Sequence, residues 1–142
     1  MTVVDASAAV KWFLPEIGSE AAAELLENSV QLYAPDLIRI EVTAAITRKM
    51  RLGQIAPEIA ERLCLLWLQS LEEKAVFLLD SAELLIPAMK LALEIRHPLQ
   101  DCLYLAAARE MKAPLITADK TFWERAKGIY HEISMLPGLH TN

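Results

Sequence analysis

The sequence predicts an α/β fold, a three-layer α/β/α sandwich around a parallel sheet of about five strands. Two patterns predict it. Short apolar or β-branched runs alternate with longer segments of helical character, as expected for a parallel sheet covered on both faces. Pro, Gly and Asp residues punctuate the junctions between them. Composition agrees, since 54% of the 142 residues are hydrophobic. Area scaling gives roughly 7,300 Å² folded against roughly 23,000 Å² extended, so about 68% of the surface is buried. A single domain spanning residues 1–142 is expected, and disorder is excluded.

Thr2-Val3-Val4 is a β-branched run that stops at Asp5. Ala6–Leu14 reads as a helix ended by Pro15, and Ser19–Asn28 as a second, with Ala22, Leu25 and Leu26 on one face. Val30–Ala34 is a short strand, and Pro35-Asp36 opens a helix from Leu37 to Leu52 that Gly53 stops. Pro57 stands near the first position of a helix running to about Glu73. Ala75–Leu79 has strand length. Pro87 breaks or kinks the Ala82–Ile95 pattern, so the stretch reads as a kinked helix or as a turn followed by a helix from Pro87. After His97-Pro98 come a helix Leu99–Lys112, a strand Pro114–Thr117, a helix Asp119–Lys127 and a weak strand Ile129–Ile133.

Several function classes fall on simple counts. With 14 Lys+Arg against 19 Asp+Glu the formal charge is −5 and the pI near 5.2, which disfavours coating of nucleic acid by bulk attraction. A nuclease remains open, because an acidic site would contribute to that negative total. The N-terminus lacks the basic n-region of a signal peptide, and the run Leu63–Leu68 is too short to cross a membrane. Cys64 and Cys102 lie in apolar helical surroundings outside any CxxC pair, which fits reduced thiols in a cytoplasmic protein.

Four acids stand out by position. In an open parallel sheet the active crevice lies at the carboxyl ends of the strands. Asp5 ends the first strand, and Asp119 follows the strand Leu115-Ile116-Thr117 directly. Glu41 and Asp101 fall in the first turns of the helices that begin near Leu37 and Leu99. Four carboxylates in one crevice require a compensating charge, and hard oxygen donors suit Mg²⁺ or Mn²⁺. An acid at a helix start is also favoured as a cap, and Asp36 and Asp80 read as plain caps.

The local text around the four acids resembles the PIN domain family, and within it the VapC-type ribonuclease toxins of toxin–antitoxin pairs. Val3-Val4-Asp5-Ala6-Ser7-Ala8-Ala9-Val10-Lys11-Trp12 looks like the first motif, an acid at a strand end with a hydroxyl two residues on. Ile40-Glu41-Val42 with the Arg48–Gly53 segment resembles the second, and His97–Ala108, containing Asp101, the third. Pro114–Phe122, containing Asp119, resembles the fourth. The sequence departs from the pattern at Ala44, where the family often has Asn, and at Gln100, where it often has an aromatic.

The resemblance implies a PIN-like nuclease domain: a metal-dependent endoribonuclease that cleaves RNA phosphodiesters with a metal-activated water. Asp5, Asp101 and Asp119 would hold Mg²⁺ or Mn²⁺, and Glu41 would bind metal or orient the nucleophile. Ser7 and Thr117 would support a carboxylate or serve as helix-cap hydroxyls. The implied partners are RNA, a cognate antitoxin and a second copy of the chain, with no membrane. The alternative is a non-catalytic α/β interaction module, a PIN scaffold that has lost its acids; here none is missing.

Other residues read more plainly. Lys11, Arg39 and Lys120 lie near the motif acids and are candidate phosphate contacts. His97 reads as a loop histidine, because a metal-dependent hydrolysis needs no imidazole. In the helix from Pro57, Ile59, Leu63, Leu66, Trp67 and Leu71 form one apolar stripe, extended by Cys64, Leu65 and Leu68. That excess of apolar character fits either complete burial or a partner.

Overall fold

The computed structural model describes residues 1–28 and 30–139. Strands β1 Thr2–Val4, β2 Leu32–Pro35, β3 Phe77–Leu79, β4 Leu115–Thr117 and β5 Ile133–Met135 form one sheet in the order β3-β2-β1-β4-β5. Every neighbouring pair is parallel, and Val3 of the central strand stands opposite both Tyr33 and Leu115. Between β1 and β2 lie α1 Ala6–Ala9, a 3-10 turn over Val10–Trp12, and α2 Ser19–Glu27. The later helices are α3 Ile38–Arg51, α4 Pro57–Glu72, α5 Ser81–Ile95, α6 Leu99–Met111 and α7 Lys120–Ala126. The architecture is the α/β sandwich that the alternation of elements predicts.

Strand order decides where the helices go. From β1 the chain steps to β2 and then β3 on one side, then crosses back past β1 to β4 and β5. Parallel crossovers are right-handed, so steps in opposite directions place their helices on opposite faces of the sheet. Helices α1, α3 and α4 accordingly pack together, while α5 packs on α6 and α6 on β1, β2 and β4. The direction of winding switches between β1 and β4, and the carboxyl edge at such a switch point is where open α/β sheets bind ligands.

Residues Cys102 to Ala108 of α6 are all buried, which explains why that helix carries a continuous apolar run. Ala106, Ala107 and Ala108 keep its side chains short where neighbours approach. On the other face Trp67 is fully buried and packs edge-on against Phe13, with ring centroids 5.7 Å apart. Its indole N–H donates to the Arg39 carbonyl at 3.2 Å, so α4 is fixed to α3 by packing and by a hydrogen bond.

Five expectations need correction. Helix α5 runs unbroken from Ser81 through Pro87 to Ile95, with Asp80 accepting from the Ala82 N–H at 2.9 Å as its cap. Pro87 is exposed, and so is Glu83, whose carbonyl is the one Pro87 leaves without an amide, so solvent can satisfy it. The last strand lies at Ile133–Met135 because the chain over Ile129 and Tyr130 closes the end of α7, both N–H groups returning to the Ala126 carbonyl. Ala6–Leu14 is a short helix followed by a 3-10 turn. In α4 the inward residues are Ala60, Leu63, Trp67 and Leu71, while Ile59 and Leu66 of the predicted stripe are exposed with Leu65 and Leu68. Asp36 does not cap α3; its carboxylate accepts from the Ser81 N–H at 3.4 Å and ties the end of β2 to the start of α5.

An exposed proline in the seventh position of a fifteen-residue helix is a removable defect. Pro87→Ala restores the missing N–H and removes the ring, and it should raise stability by about 1–2 kcal/mol, less than the full proline cost because the unfolded chain gains freedom. Chemical denaturation of the two proteins reads this directly, and an unchanged or lower midpoint for the alanine variant would contradict it.

Candidate active site

All four predicted acids reach the carboxyl edge of the sheet at the switch between β1 and β4. Asp5 follows β1 and Asp119 follows β4, so the two central strands deliver them side by side. Asp101 stands in the first turn of α6 and Glu41 in the first turn of α3. The Asp101 charge raises the proton affinity of both Asp5 and Glu41, and Asp119 raises that of Asp101. One electrostatic cluster therefore contains all four.

Asp5 is its buried centre, 2% exposed. Oδ1 accepts from the Ser7 hydroxyl at 2.6 Å and from the Ala8 N–H at 3.1 Å. Oδ2 accepts from the Thr117 hydroxyl. Thr117 Oγ1 in turn accepts from the Asp119 N–H at 3.0 Å, and Ser7 Oγ accepts from the Ala118 N–H at 2.9 Å. Ser7 and Thr117 thus bind β1 and β4 together around one carboxylate, the supporting role open to them from sequence. Burial pushes the Asp5 carboxyl up to about 7; the three hydrogen bonds oppose that rise, and the Asp101 charge adds to it.

The other three acids are held individually. The Tyr104 hydroxyl donates to Glu41 Oε1 at 2.6 Å. Burial raises the Glu41 carboxyl, the tyrosine lowers it, and the Asp101 charge raises it again. Burial beside the Glu41 charge pushes the Tyr104 phenol up as well, so it remains a hydrogen-bond donor. Asp101 Oδ2 lies 2.6 Å from His97 Nε2; burial raises this carboxyl, and the histidine opposes the rise. Asp119 caps α7, with Oδ1 accepting from the Phe122 N–H at 3.1 Å.

Sequence reasoning missed two of these residues. His97 is not a free loop histidine: it is 8% exposed and pairs with Asp101. Its signal was the four-residue spacing to Asp101, but a histidine before Pro98 is outside α6 and the spacing alone does not bring the two together. Tyr104 sits three residues after Asp101 inside an apolar run, where a tyrosine reads as core. Lys11 departs from its predicted role, since its side chain is 9% exposed and pairs with Glu16 at 3.2 Å. Lys120 pairs with Glu124 at 3.8 Å, and Arg39 is exposed.

The donor set fits a hard divalent cation. Asp101, Asp119 and His97 each offer a ligand atom within 4.8 Å of the others, while Asp5 and Glu41 lie outside that group but within the field of Asp101. Three of the carboxyls are raised by burial and mutual repulsion, which a bound cation relieves. Oxygen donors of this kind suit Mg²⁺ or Mn²⁺.

Comparison with known proteins gives two findings. The PIN domain family model matches residues 2–128. Ribonuclease VapC3 from Pyrobaculum aerophilum is 31% identical over 125 residues, which cover 87% of this chain and 92% of the relative.

The buried cluster sets a pH dependence. A carboxyl raised in the folded state binds its proton more tightly there than in the unfolded chain, where the ordinary value is 3.8. Its contribution is fully present below about pH 4 and is lost as pH rises through about 7, a loss on the order of 4 kcal/mol for Asp5. In EDTA the melting temperature should therefore fall between pH 5 and pH 8, and Asp5→Asn should flatten that slope. Mg²⁺ or Mn²⁺ added at pH 8 should raise the parent's melting temperature through binding to the native state. A parent that becomes more stable between pH 5 and 8 without metal would contradict the buried acid cluster.

Proposed function

The chain belongs to the PIN domain family, and on that premise we propose that it is a divalent-metal-dependent endoribonuclease, the toxin of a toxin–antitoxin pair. The observation that carries this reading is the convergence of Asp5, Glu41, Asp101 and Asp119 at one switch point of the sheet. When bound, a Mg²⁺ or Mn²⁺ ion supplies Lewis acidity to a phosphoryl oxygen and lowers the pKa of a water. Asp5, Asp101 and Asp119 are the residues that would hold it. Ser7 and Thr117 keep Asp5 fixed during turnover. Glu41, with one oxygen held by Tyr104, offers the other to orient the attacking water or to complete the metal set. Similarity to a protein named as a ribonuclease supports RNA as the substrate.

The proposed partners are a cognate antitoxin and a second copy of the chain. Exposed Ile59, Leu65, Leu66 and Leu68 on α4 support a protein-binding face. A cytoplasmic setting fits two free cysteines, Cys64 and Cys102. Among the described residues no helix is long and apolar enough to cross a membrane.

Purified protein should cleave structured RNA with Mg²⁺ or Mn²⁺, leave a 5′-phosphate, and stop in excess EDTA. Asp101→Asn should lose nearly all cleavage while remaining folded. Undiminished cleavage in EDTA, or by Asp101→Asn, with contamination excluded, would sink the reading. Tyr104→Phe removes only the hydroxyl that holds Glu41, and cleavage should fall about tenfold or more. Full activity in that variant would remove Tyr104 from the site.

A further inference from the structure

We infer that His97 is a positioning residue of the carboxylate cluster, fixing Asp101 through its imidazole and, through Phe122, coupling Asp101 to Asp119. The inference rests on the metal-dependent reading above and goes beyond it, because no carboxylate chemistry by itself requires a histidine.

The backbone sets the position of His97. Helix α5 ends on Arg96 in the left-handed conformation, φ 54°. The next N–H, that of His97, returns to the Ala92 carbonyl at 3.2 Å, and Pro98 then opens α6. The ring is thereby carried under the first turn of α6, where Nε2 meets Asp101 Oδ2 at 2.6 Å.

The ring's flat face carries the second half of the coupling. It stacks on Phe122 with centroids 5.0 Å apart and planes 14° from parallel. Phe122 is fully buried, and its own N–H is the donor to Asp119 Oδ1. One stack therefore stands behind two carboxylates: its imidazole edge holds Asp101, and the backbone of its phenylalanine holds Asp119. The two acids are thus held by adjoining groups of one stacked pair.

The proton position follows from burial. His97 Nδ1 is buried and has no hydrogen-bond partner among the described residues. A proton there would be a buried donor without an acceptor. With the proton on Nε2, the ring donates it to Asp101 Oδ2 and holds that carboxylate oxygen. His97 acts through Asp101, as outer partners of ligating carboxylates do.

Two substitutions separate positioning from packing. His97→Phe keeps a flat ring for the stack and lacks the donor; His97→Gln lacks the ring and keeps an N–H donor. Mn²⁺ affinity measured by calorimetry, with circular dichroism as the fold check, should weaken about 10–100-fold in His97→Phe. His97→Gln should recover much of the loss. RNA cleavage at limiting Mn²⁺ should follow the same order. Parent affinity in His97→Phe would overturn the inference and leave His97 as a packing residue. Equal loss in both variants would also overturn it, in favour of direct ligation by the imidazole. Asp101→Asn measured alongside separates the two readings. If it loses Mn²⁺ while His97→Phe does not, only the role of His97 fails; if the parent binds no Mn²⁺, both readings fail together.

Discussion

A carboxylate buried at the end of the central strand constrains the rest of the structure. Asp5 is nearly inaccessible, and removal from water is the largest influence on its ionisation. A buried acid is tolerable only if its oxygens are hydrogen-bonded or its charge is matched. The chain meets the first condition with donors from Ser7, Ala8 and Thr117. Those donors come from the turn after β1 and from the end of β4, so satisfying one side chain also locks the two central strands at the edge where the winding direction switches.

Capping and function share the same atoms here. Asp5 and Asp119 each accept a hydrogen bond from an N–H in the first turn of the following helix. By that criterion they are ordinary N-caps, like Asp80. The difference lies in their neighbours. Asp80 is exposed at the start of α5, whereas Asp5 and Asp119 are bridged by Thr117 and stand in the field of Asp101. A cap becomes a candidate ligand when the fold sets a second and third carboxylate against it.

Helix α6 joins core to site. Its first turn carries Asp101, and its next turn carries Tyr104, which reaches Glu41 on α3. The same helix is buried from Cys102 to Ala108, between the sheet and α5. Substitutions in this core are therefore also substitutions in the support of two acids. Tyr104 does both jobs, filling the interior with its ring while its hydroxyl holds Glu41.

By itself the sequence determined the layers and singled out the four acids of the candidate site. Periodicity, Pro and Gly punctuation and β-branched runs are local signals, and they report local structure: helices, strands and an acid following a strand. The motif text around Asp5, Glu41, Asp101 and Asp119 carried the family, and Ser7 and Thr117 were legible as hydroxyls two residues from an acid. The strand order, the pairing of His97 with Asp101 and the reach of Tyr104 to Glu41 were decided by tertiary structure, because each joins segments whose contact no local pattern encodes. Glu41 and Tyr104 are 63 residues apart, and Thr117 and Asp5 are 112 apart. Pro87 shows the same limit in the opposite direction: its local rule says break or kink, and packing of Leu84, Ala88 and Leu91 into the core decides for one helix across it.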